Sequence, residues 1–222
     1  MESPKEAYNN NMKKSGFRKE AYPYFNDKYF KNPRQPGFFL FDTNERVQVN
    51  QQKLILPGKI YTFKYDPLYK DALAYYDKRP IIFCHELRVA KTGNTILCGA
   101  NLNFLPEQMR VTLLEYYFQQ FKSDYDKANE SLGKPVPVQK AKAFLSDWSA
   151  VEKIAQQANI NYTFIFRNYI FDRITALTMV EQMDWGMIPF LESKDITGAG
   201  LGKIYADYTK SMNKAKPKGE AR

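Results

Sequence analysis

Three observations predict an α+β fold, a small antiparallel sheet packed with several helices and flanked by an extended N-terminal arm and a basic C-terminal tail. Residues 80–104 alternate on both sides of Ala90–Thr95 (AKTGNT), where Gly93 and Asn94 accept positive φ, and this predicts a β-hairpin. Residues 59–65 alternate as well, with Tyr61, Phe63 and Tyr65 on one side and Ile60, Thr62 and Lys64 on the other, which predicts a third strand. After Pro106, apolar residues at Leu114, Phe118, Phe121 and Tyr125 follow helical spacing, with Tyr117 beside them.

Residues 1–40 read as an irregular arm, because Asn9-Asn10-Asn11, Pro23, Pro33, Pro36 and Gly37 interrupt any period. Disordered tails are poor in aromatics. This segment instead interleaves Tyr22, Tyr24, Phe25, Tyr29, Phe30, Phe38 and Phe39 with its charges. Aromatic side chains dominate interface anchors, so the arm is expected to lie along a neighbouring protein and to be dispensable for folding. Basic residues among aromatics also suit stacking on single-stranded nucleic acid.

Residues 41–202 form the expected single α+β domain. Arg46–Val49 and Leu54–Leu56 read as short extended runs before the first strand. Pro57-Gly58 opens that strand and Asp66-Pro67 ends it. Residues 68–78 suggest a turn of helix. In the hairpin, folding about Thr92-Gly93 sets Ile81, Phe83, His85, Leu87 and Val89 against Phe104, Leu102, Ala100, Cys98 and Ile96 on an apolar face. The opposite face, with Cys84, Glu86 and Arg88, is expected to be mostly wet. The helix after Pro106 is expected to end near residues 130–133. A second helix is expected over about residues 139–158, with Ala141, Phe144, Leu145, Trp148, Val151 and Ala155 on one stripe. Residues 160–171 alternate like a strand in their first half, while the second half fits a helix. Residues 172–185 read as a further short element. Residues 185–191 (WGMIPFL) are broken by Gly186 and Pro189 and read as extended strand or loop. Residues 203–222 predict a short helix and a basic tail.

The net charge is +9 over 222 residues, and it is unevenly placed. Residues 1–34 hold eight Lys/Arg against four Asp/Glu, and residues 203–222 hold six against two, which leaves +1 for the middle. Lys203, Lys210, Lys214, Lys216, Lys218 and Arg222 are therefore the candidate nucleic-acid contacts. The 2 Cys do not make a disulfide scaffold, and the hairpin register sends them to opposite faces. No apolar run approaches the roughly 20 residues of a membrane span, so no membrane partner is expected.

Catalytic constellations are not expected. His85, the 1 histidine, sits on an apolar face and reads as a core residue. One His and two separated Cys make a poor zinc set, and no G-x-S-x-G elbow accompanies His85. Asp66, Asp71 and Asp77 read as turn caps and local partners of Lys70, Lys78 or Arg79 rather than cation ligands. Gly198, Gly200 and Gly202 read as a hinge before the last helix. No catalytic residue, metal site or cofactor is expected.

The stretch PGKIYTFKYDPLYKDALAYYDKRP, followed by GANLNFLPEQMR, resembles small virion proteins of tailed bacteriophages that carry the label DNA end protector or neck–tail structural protein. The resemblance rests on Gly58, Tyr65, Asp66, Pro67, Lys70, Leu73, Tyr75, Tyr76, Asp77, Pro80, Gly99, Asn101, Leu105, Pro106 and Arg110, with a weaker echo in Arg173, Trp185 and Pro189. It covers the sheet and the first long helix well and departs in the arm and in His85–Val89. Abundant Lys, Asn, Tyr, Phe and Ile suit an AT-rich phage genome, the crAss-like group included. The resemblance implies a component of the virion, made in the host bacterial cytoplasm. The expected role is a non-enzymatic ring or collar subunit of the portal–neck–tail region. Its partners are then other virion proteins, portal, neck or tail subunits, in a homo-oligomeric ring joined by the arm. The alternative is a DNA-end-binding protein on the packaged genome.

Overall fold

Backbone hydrogen bonds from five strands build the central antiparallel sheet, two more than the three that the alternation of the sequence predicts. A computed structural model describes residues 2–31, 58–132, 153, 156–157, 160–191, 196–198 and 200–215. In chain order the strands are β1 (Ile60–Tyr65), β2 (Tyr76–Asp77), β3 (Ile81–Val89), β4 (Thr95–Asn101), β5 (Phe166–Ile170), β6 (Ile174–Met179) and β7 (Ile196–Thr197). The large sheet has the order β5-β4-β3-β1-β6, and β2 pairs apart from it with β7. The α-helices among the described residues are α1 (Pro4–Met12), α2 (Phe17–Phe25), α3 (Glu107–Leu132), α4 (Tyr162–Ile165) and α5 (Leu201–Ala215). The fold is α+β, as expected.

The hairpin forms, with a different register. The Gly93 N–H donates to the Ala90 carbonyl, and Gly93 adopts φ 84°, a turn closed by a left-handed residue. Beyond it Val89 faces Thr95 and Leu87 faces Leu97, each one position from the expected partner, so Leu87 packs on the face opposite to the expected one. A bulge at His85 then shifts the register between Cys84↔Gly99 and Glu86↔Cys98. Past the bulge Phe83 faces Ala100, two positions from the expected partner Leu102. A shift of two keeps side chains on their face, so Ile81, Phe83 and Ala100 remain on the main core. The local reason for Gly99 is contact: a Cβ there would lie 2.4 Å from the Phe83 carbonyl oxygen. A second irregularity lies between β1 and β6, where Ala176 takes φ 53°.

Both faces of the sheet are buried, which corrects the expectation of one wet face. Tyr61, Phe63, Ile82, Cys84, Leu97 and Tyr169 form a second cluster, with Phe171, Ile174, Leu177 and Met179 packed on it. The aromatic side of β1 therefore points away from the main core, into this cluster. Cys84 and Cys98 are free, as expected, and Cys84 shares its face with Leu97, the neighbour of Cys98 on the opposite face. Burial pushes both thiols up, Cys98 to about 11.

The expected extended arm is helical through Lys31. Ser3 caps α1: its hydroxyl accepts from the Glu6 N–H, while Glu6 Oε2 accepts from the Ser3 N–H, with Pro4 in the first turn. Gly16 turns the chain into α2, and a π-helical turn, Asn26–Lys31, follows. Tyr8, Ala21, Phe25 and Tyr29 are buried in the main core, with Tyr22 and Phe30 packed against it. The boundary at residue 40 therefore does not separate an arm from a domain as far as Lys31. Phe38 and Phe39 lie outside the described residues, as do the runs 46–49 and 54–56, most of the expected helix 139–158 and the tail beyond residue 215.

Other elements differ locally. The halves of residues 160–171 are exchanged, helix first (α4) and strand second (β5), because Asn161 caps α4 by accepting from the Phe164 N–H. Residues 182–190 are a 3₁₀ helix rather than a strand or loop, and Trp185, Ile188 and Phe190 are buried. Helix α3 begins and ends where the spacing predicts. Helix α5 buries Ile204 and Tyr208.

If residues 2–31 are core, Phe25→Ala should cost about 3–5 kcal/mol, the ordinary cost of truncating a buried phenylalanine. Urea unfolding measures this, and a change below about 1 kcal/mol would return the segment to the status of a detachable arm.

Candidate nucleic-acid interface

Three of the residues that carry the phage resemblance, Asp77, Asn101 and Arg110, build two buried polar centres. In the first, Asp77 Oδ2 accepts from Asn103 Nδ2 at 2.8 Å and Asn101 Nδ2 at 3.1 Å, and its Oδ1 accepts from the Arg79 N–H at 2.9 Å. Asn101 Nδ2 also donates to Tyr169 Oη, and Asn101 Oδ1 accepts from the Asn103 N–H. The carboxylate is thus bonded to side-chain donors at and beyond the end of β4 and to a backbone donor two residues on. The expected local pairing with Lys78 or Arg79 is replaced in part by these asparagines, one of which, Asn103, the motif does not include.

The second centre is Arg110, in the first turn of α3. Its Nε donates to the Leu105 carbonyl at 2.8 Å, and its terminal nitrogens donate to the carbonyls of Leu191 (2.7 Å), Ile188 and Asn103 and to Tyr205 Oη. Burial pulls this guanidinium below its ordinary value. Other motif residues have the following places. The Gly58 N–H donates to the Cys84 carbonyl. Tyr65 stands edge-on to Phe63 and Tyr169. Asp66 is exposed and holds Lys70 at 2.7 Å, Pro67 is buried, and Tyr76 pairs with Thr197. The Pro106 carbonyl accepts from the Met109 and Arg110 N–H groups. Asp77, Asn101 and Arg110 are buried and satisfied within the protein, out of reach of a macromolecular ligand.

The aromatic residues assigned to partner binding divide likewise. Phe25 and Tyr29 are buried, Tyr22 and Phe30 are partly buried, and Tyr24 is exposed. Tyr29 Oη donates to Asp184, and so does Lys28 Nζ at 2.7 Å, with Glu181 a second acceptor at 2.8 Å. Burial by itself lowers the Lys28 pKa, but hydrogen bonds to Asp184 and Glu181 outweigh it and the net direction is up. Burial and the Asp184 bond raise Tyr29. His85 is buried against Tyr162 and Phe166, as a core histidine.

One exposed basic cluster among the described residues is the turn between α1 and α2 with the start of α2, Lys13-Lys14-Ser15-Gly16-Phe17-Arg18-Lys19, with Glu20 following. Lys13, Lys14 and Lys19 are exposed; Lys14 donates to Asn11 Oδ1 and lies over the Phe17 ring. Arg18 is engaged, bidentate to Glu107 at 2.7 and 2.8 Å. On α5, Lys203 and Lys210 are exposed, Lys210 within 4.0 Å of Asp207, and the backbone of Lys214 continues the helix. Lys216, Lys218 and Arg222 lie outside the described residues. The basic turn is hidden in the sequence because the segment reads as irregular. The signal that finds it is the S-P-K-E capping box at residues 3–6, which starts a helix pair and makes the lysines its turn.

Two variants test the framework reading. Asp77→Ala removes one acceptor from each of two buried asparagine amides and the acceptor of the Arg79 N–H, and should cost roughly 3 kcal/mol in urea unfolding. A near-neutral result would remove Asp77 from the framework. Glu107 is held below its ordinary value of 4.5: burial raises it, but bonds from Arg18 and Tyr8 lower it by more. The folded pKa is depressed, so this stabilisation is complete above about pH 4.5 and is lost as the pH falls through the folded value. Glu107→Gln should therefore flatten the loss of stability between neutral pH and about pH 3, and parallel curves for the two proteins would contradict it.

The family model described as Phage T4 terminal DNA protecting protein matches residues 17–206, from the first residue of α2 into α5. No curated protein and no solved structure matches the chain. The chain belongs to the phage terminal DNA protecting family.

Proposed function

We propose that this member of a phage terminal DNA protecting family binds the ends of the packaged linear genome and stays with them in the virion, by binding rather than catalysis. Family membership carries the reading. Its physical support is the placement of charge. The basic excess falls in residues 1–34 and 203–222, and the exposed cations of the α1–α2 turn and α5 suit a phosphate backbone. Contacts of this kind position a protein on DNA without reading sequence.

A ring or collar subunit is the less favoured role. It relies on an arm free to bind a neighbour, and Phe25 and Tyr29 are buried in the chain's own core instead. Association with portal, neck or tail subunits stays compatible with an end-binding role, because a protein held on a packaged end can meet them there.

The test is competition. A labelled linear duplex is displaced by unlabelled DNA of the same sequence, either linear or covalently closed. The linear form should compete better per mole, and bound protein should slow exonuclease digestion from the ends. Equal competition would overturn the reading. In the same assay Lys13→Gln, Lys14→Gln and Lys19→Gln together should reduce the slope of log affinity against log salt by about 0.9 for each phosphate that the variant no longer neutralises.

A further inference from the structure

We infer that the loop between β1 and β2 is the surface that meets the end of the duplex, with the Tyr69 ring stacked on the terminal base pair. This rests on the end-binding reading above. Leu68 and Leu73 are each 45% exposed and Tyr69 is 72% exposed, three large apolar side chains within six residues. The loop is a built feature. Lys70 Nζ holds Asp66 at 2.7 Å, the Ala72 N–H donates to the Tyr69 carbonyl, and the Leu73 N–H donates to the Lys70 carbonyl. At its far end Tyr75 stands edge-on to the buried Phe104, and a Cβ on Gly198 would lie 2.5 Å from the Ala74 carbonyl oxygen. Apolar side chains held outward on a supported loop mark a contact surface.

The choice of partner follows from what a DNA end offers. A duplex interior shows phosphates and groove edges, but an end also shows the flat π-face of one base pair, rimmed by phosphates. Every base pair has that face, so an aromatic plate recognises an end whatever its sequence. The loop has the matching arrangement, an apolar tip with cations at its root. The Tyr65 N–H donates to the Lys78 carbonyl and the Asp66 N–H to the Arg173 carbonyl, which seats the exposed Lys78 and Arg173 beside the strand exit. Lys64 is exposed on β1, and Lys70 is in the loop itself. The carboxylates there are Asp66, held by Lys70, and the exposed Asp71 and Asp172. This end is therefore mixed in charge with a small positive excess, and the apolar tip rather than charge supplies the preference for an end.

Full-length protein and duplexes of one sequence, with both ends blunt and open or both closed by hairpin loops, separate the possibilities. Wild-type protein should prefer open ends. Tyr69→Ala should weaken binding to open ends roughly 5- to 100-fold, the usual range for removing one stacking ring, and leave binding to closed duplexes unchanged. Tyr69→Phe should retain the preference. A 2-aminopurine at the terminal position should change its fluorescence with wild-type protein and not with Tyr69→Ala. Equal binding of open and closed duplexes by wild-type protein overturns the end-binding reading and this inference with it. An unchanged end preference in Tyr69→Ala overturns the inference alone, and failure of that variant to enter particles would then assign the tip to a protein partner.

Discussion

A full positive charge, Arg110, is buried where two irregular segments and two helices meet, and the arrangement of this protein depends on it. Burying a guanidinium without partners costs several kcal/mol. Here the cost is offset by carbonyls that need donors as much as the guanidinium needs acceptors: Leu105 and Asn103 near the start of α3, and Leu191 just past the 182–190 helix, with Ile188, which also accepts from the Leu191 N–H, beside it. Those segments are 3₁₀ helix and loop, which leave carbonyls unpaired. One side chain thus ties together backbone that regular secondary structure does not satisfy. The bond to Tyr205 adds α5 to the same knot.

Asp77 plays the complementary part with the opposite charge. It belongs to β2, outside the large sheet, and its carboxylate receives donors from Asn101 at the end of β4 and from Asn103 just beyond it. The two centres share Asn103, whose amide reaches Asp77 and whose carbonyl receives Arg110. The motif residues are thus close to one another in chemistry as well as in sequence, and they hold the scaffold. Asp77, Asn101 and Arg110 are spent on the scaffold, because polar groups satisfied inside a protein have no capacity left for a ligand.

The N-terminal helices extend the same logic outward. Arg18 and Tyr8 clamp Glu107 at the start of α3, and Lys28 and Tyr29 clamp Asp184 in the 182–190 helix. Phe17 and Tyr8 pack on Phe190 between these clamps. Segments far apart in sequence are therefore fastened to one side of the sheet, and the lysines of the α1–α2 turn are carried on a supported hairpin of helices rather than on a loose tail.

The sequence by itself determined what depends on near neighbours. The alternation of Ile60–Tyr65, the turn at Gly93 and the start of α3 after Pro106 follow from side-chain period and backbone preference, and each is found in place. The phage family, and with it the end-protecting alternative, entered as a resemblance carried by Gly58, Asp77, Asn101, Pro106 and Arg110, and the family match bears it out. Only the tertiary structure decided the rest. Period cannot say where a bulge enters, so the register past His85 moved by two. Nor can it say what lies on each face, so a surface expected to be wet became a second core around Phe63 and Cys84. Phe25 and Tyr29 carry the same aromatic chemistry whether they meet a neighbour or their own core, and burial against residues more than a hundred positions away settled which. The turn of lysines and the Tyr69 tip became visible as surfaces only once the packing around them was known.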